Sequence, residues 1–209
     1  MNVLLLHGWP LSEQMWVSQV AALRNAGFKP IVPRLYGRGS SIDGWAAQLL
    51  RDYDGTFVTV GASMGGYCAF ALARRAPERI VGMVIVASRV GADTFERRRQ
   101  RDDQIAALRA RGLPPDLETD DSAEDLAVAQ EAMRGRMDLS GVSASFGGPL
   151  LVCIGDRDDI VSVDESRELA SSALRGTLEV FPGAGHFPSV EQPERFNEVL
   201  LEFLSQWQT

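Results

Sequence analysis

"VTVGASMGGYCAF", residues 58–70, runs from an apolar, β-branched stretch through a serine set among glycines into an alanine-rich segment. A strand that ends in Gly61-Ala62-Ser63-Met64-Gly65-Gly66 and continues as the helix "YCAFALARRAP" is the setting in which a G-x-S-x-G turn presents a serine. The glycines have a steric reason. Side chains at positions 61 and 65 would collide with adjacent elements, and a serine lifted clear of a buried strand is held in a strained backbone conformation. Pro77 marks the end of the helix. An ordinary glycine-rich turn can match the same pattern by chance, so the surroundings must decide. A phosphate loop is disfavoured, because no Lys-Ser/Thr pair follows the glycines.

Outward from this turn, short apolar runs recur at Asn2 to Leu6, Lys29 to Pro33, Thr56 to Gly61, Ile80 to Ser88, Leu150 to Gly155 and Thr177 to Phe181. Their continuous apolar character suits strands of a parallel sheet covered on both faces. Between them, helical spacing predicts helices over Ser12 to Asn25, Asp43 to Asp52, Met64 to Arg75, Val163 to Ala173 and Gln192 to Gln206. Such alternation implies an α/β fold with right-handed crossovers. The stretch from Val90 to Gly148 breaks the rhythm. It reads as an inserted lid of two or three helices, near Asp93 to Arg111 and Ser122 to Met137, within a single domain spanning residues 1–209. Its charge is segregated, Arg97, Arg98, Arg99 and Arg101 early and a run of carboxylates later, which reads as the solvated faces of a mobile lid.

Composition narrows the function. The chain has 209 residues, 45% hydrophobic and 23% charged, the balance of one globular domain with a sizeable core. A formal net charge of -7 with no dense basic stripe argues against nucleic acid and anionic lipid as partners. No apolar run approaches the ~20 residues of a membrane helix, and the start "MNVLLLHGWP" reads as a strand rather than a signal peptide, so a cytoplasmic protein is expected. Cys68 and Cys153 read as reduced, buried residues, and no His/Cys/Asp cluster has metal-ligand spacing. No metal or cofactor is expected.

A serine hydroxyl needs a base to take its proton and an acid to orient that base. Of the two histidines, His186 in "FPGAGHFPSVEQP" lies after the last strand, on a loop at the carboxyl end of the sheet where Ser63 projects. It is the better base. His7 ends the first strand and reads as a structural partner of the neighbouring loop. "CIGDRDDIVS" offers Asp156, Asp158 and Asp159 as the acid, and spacing alone does not choose among them. Oxyanion donors are expected from the Met64 N–H, directly after the serine, and from Trp9 after the first strand, where Pro10 has no N–H to give.

"LLLHGWPLSEQMW", "GRGSS", "GASMGG", "CIGDRDDIVSV" and "GAGHFPSVEQPERFNEVLLEFL" together resemble the α/β-hydrolase superfamily, and within it the small esterases, enol-lactone hydrolases and cofactor-free haloperoxidases. The resemblance covers nearly the whole chain outside the insertion. It implies a three-layer α/β-hydrolase fold, a mostly parallel sheet of about six strands with helices on both faces and a small helical lid. It also implies a Ser63, His186 and Asp158 triad, the acid following from the register G-x-x-D-x-x-V over Gly155 to Val161, with Trp9 and Met64 as oxyanion donors. Three departures stand out, one of them a short insertion that implies a small lid and a relatively open pocket. The chain starts at the strand before His7, where relatives usually have two more strands, and Arg34 and Leu35 stand near "GRGSS" where an acidic residue is usual.

The implied activity is hydrolysis of a small-molecule ester, lactone or thioester through an acyl-enzyme. Trp9, Met64 and Phe187, with Phe95, Met133 and Met137 from the lid, are expected to line an apolar acyl pocket. Perhydrolase or lyase chemistry on the same triad, or a binding protein that keeps the pocket without turnover, remain open alternatives on this fold.

Overall fold

The computed structural model describes residues 1–208. Six strands, β1 (Asn2–Leu6), β2 (Lys29–Ile31), β3 (Phe57–Ala62), β4 (Ile80–Val86), β5 (Leu150–Gly155) and β6 (Gly176–Phe181), form one sheet in the order β2-β1-β3-β4-β5-β6. Every neighbouring pair is parallel, so each connection crosses back along the sheet and covers one of its faces. This is the α/β architecture that the sequence implied.

The strand residues alternate between two cores. Val3 and Leu5 of β1, Val58 and Val60 of β3, and Val84 and Val86 of β4 face one core, whereas Leu4, Leu6, Phe57, Met83 and Ile85 face the other. Two apolar faces per strand explain why the sequence shows unbroken apolar runs. The helices are α1 (Val17–Asn25), α2 (Ile42–Asp52), α3 (Met64–Arg75), α4 (Phe95–Arg111), α5 (Ala123–Arg134), α6 (Ser140–Ser145), α7 (Val163–Ser172), α8 (Pro188–Glu191) and α9 (Pro193–Leu204). Leu23 of α1 and Phe196, Leu200 and Leu204 of α9 join the first core, while α2, α3 and α5 contribute Trp45, Phe70 and Leu126 to the second.

Several element edges shift from the sequence reading for local reasons. The helix expected from Ser12 opens as a 3-10 turn over Glu13–Trp16, with the Ser12 hydroxyl accepting the Gln14 N–H at 3.3 Å. β2 stops at Ile31, two residues before Pro33, which has no N–H for a ladder. Thr94 caps α4 by accepting the Arg97 N–H, so that helix begins at Phe95 rather than Asp93. Ser122 and Asp125 cap α5 reciprocally.

Strand order reverses beside β1. The chain leaves β1 outward to β2, then returns to β3 on the other side of β1, so the loops after β1 and β3 diverge and leave a crevice at the carboxyl ends. Trp9 and Ser63 lie on those two loops. The segment between β4 and β5 carries α4, α5 and α6 beside this crevice, and it is tied down by polar contacts. Arg34 pairs with the buried Asp121, the Trp9 indole N–H donates to the Leu126 carbonyl at 3.2 Å, and Arg109 joins α4 to Glu124 and Glu131 of α5. Arg34 thus has a partner of its own where the resemblance expected an acid. Cys68 and Cys153 are free and buried, and among the described residues no helix is long and apolar enough to cross a membrane.

Candidate active site

Ser63 occupies the turn between β3 and α3 with φ 48° and ψ −108°, a left-handed conformation that costs a non-glycine residue about 1–3 kcal/mol. The neighbourhood fixes it. The Ser63 N–H donates to the Val86 carbonyl at 2.8 Å, and the Ser88 hydroxyl donates to the Ser63 carbonyl at 2.7 Å. A Cβ on Gly61 would stand 2.5 Å from the Gly65 carbonyl oxygen, and one on Gly65 would overlap the backbone of Leu6. The glycines therefore let α3 start directly against β1 and β3.

The loop after β6 brings His186 to this turn. Its Nε2 lies 3.0 Å from Ser63 Oγ, and its Nδ1 lies 2.8 Å from Asp158 Oδ2. The other Asp158 oxygen accepts the N–H groups of Ile160 at 2.7 Å and Val161 at 3.0 Å. Burial opposes the Asp158 charge, yet the hydrogen bonds from His186, Val161 and Ile160 outweigh it and hold the carboxyl below its ordinary range. An ionised Asp158 requires a proton on Nδ1, which leaves the Nε2 lone pair facing the serine hydroxyl. The other two acidic candidates lie elsewhere. Asp156 accepts the Gly183 N–H at 2.7 Å, and Asp159 is exposed at the edge of the cleft.

Two supports of His186 carried no signal that the sequence reading used. Glu191 accepts the N–H of Gly185 at 2.6 Å and of Phe187 at 2.9 Å, and so clamps the backbone on both sides of the histidine. Phe187 packs edge-on against the imidazole, with ring centroids 4.7 Å apart. His7 is fully buried and plays a structural part. Its Nε2 accepts the Leu35 N–H at 3.0 Å and its Nδ1 faces the Gly8 carbonyl at 3.2 Å, and burial lowers its pKa to about 4. This neutral ring joins the loops after β1 and β2.

The two N–H groups expected to bind an oxyanion belong to Met64 and Trp9. Met64 opens α3, where the helix presents unpaired donors and partial positive charge. Of Gly8, Trp9 and Pro10, the residues expected to offer the second donor, the Gly8 N–H is engaged by Met15 Sδ at 3.3 Å and Pro10 has none, which leaves the Trp9 N–H.

Ser63 and His186 open onto a cleft of about 340 Å³, within the range of small-molecule sites. Its chemistry differs from the apolar pocket expected. Trp9, Tyr67, Met133 and Ile160 supply apolar wall, but Arg89, Arg97 and Arg101 face it together with Gln100, Gln104 and Gln130. Of the expected lining residues, Trp9 and Met133 are in this cleft, and Met64 is buried in the core. Phe95, at the first turn of α4, is 70% exposed; Met137 lines a separate pocket of about 70 Å³ beside α2 and α3; Phe187 backs the imidazole instead. The physical reason is the orientation of α4, which turns its Arg97 and Arg101 side to the cleft and leaves Phe95 in solvent.

The sequence pattern of the alpha/beta hydrolase family matches residues 3–199. The chain is 26% identical to a pimeloyl-[acyl-carrier protein] methyl ester esterase of Photobacterium profundum, covering 97% of this chain and 94% of that protein. It is 27% identical to a 2-hydroxy-6-oxononadienedioate/2-hydroxy-6-oxononatrienedioate hydrolase of Paraburkholderia phymatum, covering 98% and 87%. Among solved structures, a thermophilic esterase from Thermogutta terrifontis, with malate bound, superposes with a TM-score of 0.93 at 28% identity, covering 100% of this chain and 91% of that one.

Proposed function

The chain belongs to the alpha/beta hydrolase family, and from that premise we propose that it is a serine hydrolase of carboxylic esters, lactones or thioesters that works through an acyl-enzyme. The observation that carries this reading is the unbroken run of hydrogen bonds from Ser63 through His186 to Asp158, seated on a strained turn at the mouth of a cleft. Two similar proteins named as esterases support it.

In this mechanism Ser63 Oγ attacks the substrate carbonyl carbon while its proton passes to His186 Nε2. The carbonyl electron pair moves onto oxygen, and the N–H groups of Met64 and Trp9 bind that oxyanion. Asp158 holds the Nδ1–H and stabilises the imidazolium. Collapse of the tetrahedral intermediate breaks the bond to the leaving alcohol or thiol, which takes the proton back from Nε2. Water then repeats the sequence, with His186 as base, and frees the acid. Residues 90–148 serve as the lid that shapes the cleft.

The test is Ser63→Ala. With p-nitrophenyl acetate the substitution removes on the order of 10⁴ to 10⁶ of kcat, and stoichiometric labelling by a fluorophosphonate disappears with it. A purified, folded Ser63→Ala protein that keeps most of the activity overturns the assignment.

A further inference from the structure

The cleft is cationic although the chain carries a formal net charge of -7. Three guanidiniums, those of Arg89, Arg97 and Arg101, gather at its wall, and behind them the buried Arg136 completes two pairs on two carboxylates. Arg89 and Arg97 share Glu165, and Arg101 and Arg136 share the buried Asp93. Both carboxylates are fully engaged. Glu165 takes a fork of two hydrogen bonds from Arg89, at 2.7 and 3.0 Å, and also accepts the Ser162 N–H at 2.9 Å. Asp93 is enclosed by its two arginines. The remaining acid that borders the cleft, Asp159, is exposed at its edge.

Arg97 is the guanidinium with donors to spare. Its one ionic contact is to Glu165 at 3.5 Å, beyond good hydrogen-bond length, whereas Arg101 is engaged by Asp93, the Gln130 oxygen at 2.7 Å and Met133 Sδ at 3.3 Å. Arg97, Gln100, Arg101 and Gln104 are spaced i, i+3, i+4, i+7, so α4 turns one continuous polar stripe toward the cleft that Ser63 and His186 share. A neutral ester gives such a stripe nothing to neutralise.

We propose that the substrate is an ester bearing a second, anionic group, a carboxylate, that is held by the Arg97 guanidinium with the Gln100 and Gln104 amides while the ester lies at Ser63. The planar fork of an arginine matches a carboxylate bidentately, and the two amides supply further neutral donors. This inference rests on the hydrolase reading for the place of the ester. The anion site itself stands apart from it.

The experiment compares kcat/KM for monomethyl succinate, adipate and suberate with methyl esters of the corresponding monocarboxylic acids, at low and high salt. Wild type prefers the acidic ester of best-fitting length, and salt weakens that preference. Arg97→Gln reduces the ratio of acidic to neutral kcat/KM by about 10- to 100-fold, mainly through KM. Arg99→Gln, which removes the same charge from an exposed position outside the cleft, leaves the ratio as it was. Equal effects of the two substitutions, or no preference in wild type, overturn the proposal while leaving the hydrolase intact. Should wild type cleave no ester, calorimetric titration with adipate still decides: binding that Arg97→Gln abolishes upholds the anion site, and no binding overturns it.

Discussion

Asp158→Asn exchanges one carboxylate oxygen for an amide nitrogen and tests the proton inventory of the site. In the native protein, one oxygen serves the N–H groups of Ile160 and Val161 and the other faces His186 Nδ1. Asparagine has only one acceptor oxygen. Turning that oxygen to the imidazole would set the amide NH₂ against two backbone N–H groups, donor against donor, so the oxygen stays on the backbone and the NH₂ meets Nδ1. The imidazole must then accept at Nδ1 and carry its proton on Nε2. It would donate to Ser63 Oγ and could not remove its proton.

Two backbone hydrogen bonds against one therefore select the unproductive tautomer, and the expected loss is about 10⁴ in kcat, as for the same exchange in other triads. That is about 5 kcal/mol of transition-state stabilisation at roughly 1.4 kcal/mol per factor of ten. Steady-state hydrolysis of p-nitrophenyl acetate measures it, with thermal unfolding to show that the turn survives. Asp159→Asn in parallel, at a residue that makes no hydrogen bond to the ring, changes kcat only severalfold. If Asp158→Asn keeps more than a tenth of wild-type kcat, or if Asp159→Asn is the more damaging substitution, the reasoning fails.

Glu191→Ala frees the N–H groups on both sides of His186, and a misplaced imidazole lowers kcat by about 10- to 100-fold with KM little changed; partial recovery in Glu191→Gln separates positioning from collapse of the loop. Asp93→Ala leaves Arg101 and the buried Arg136 without their shared carboxylate and costs about 3–5 kcal/mol in urea unfolding. Although burial opposes its charge, the two arginines hold the Asp93 carboxyl below its ordinary range. Its contribution is therefore complete above about pH 4 and fades as pH falls through the lower folded value, a slope that the alanine variant lacks. His7 behaves differently, since its pKa falls from 6.5 to about 4 in the fold. Between those values the unfolded chain binds the proton and the folded one does not, so acidification costs wild type up to about 3 kcal/mol more than His7→Gln; parallel stability curves for the two proteins would refute this.

The sheet and the serine turn were legible because both depend on short-range patterns. Strands covered on two faces need apolar residues at every position, and Gly61 and Gly65 are needed where α3 meets the backbone of β1 and β3. His186 could be singled out as the candidate base because only two histidines compete and His7 closes a buried strand. Singling out Asp158, the carboxylate that meets His186, needed the family register, since Asp156, Asp158 and Asp159 differ only in which way one turn aims them. Glu191 escaped because its work is done on backbone N–H groups, which have no sequence signature.

The cleft was misread for a more general reason. A run such as "FERRRQRDDQ" supplies charge all round a helix, and hydropathy alone assigns such a helix to solvent. Most of α4 obeys, with Ile105 and Leu108 as its buried residues. Period 3.6 nevertheless selects Arg97, Gln100, Arg101 and Gln104 as one stripe, and Asp93 and Glu165 anchor two of its guanidiniums from outside the helix. Neither anchor is predictable from spacing, because one precedes α4 and the other caps α7, more than sixty residues on. Polar residues at helical period beside a candidate active-site turn call for the same test as apolar ones: the question is which neighbour neutralises each charge. Here Arg97 is the one whose neighbour is already taken, and that excess, rather than the number of arginines, is what points to an anionic substrate.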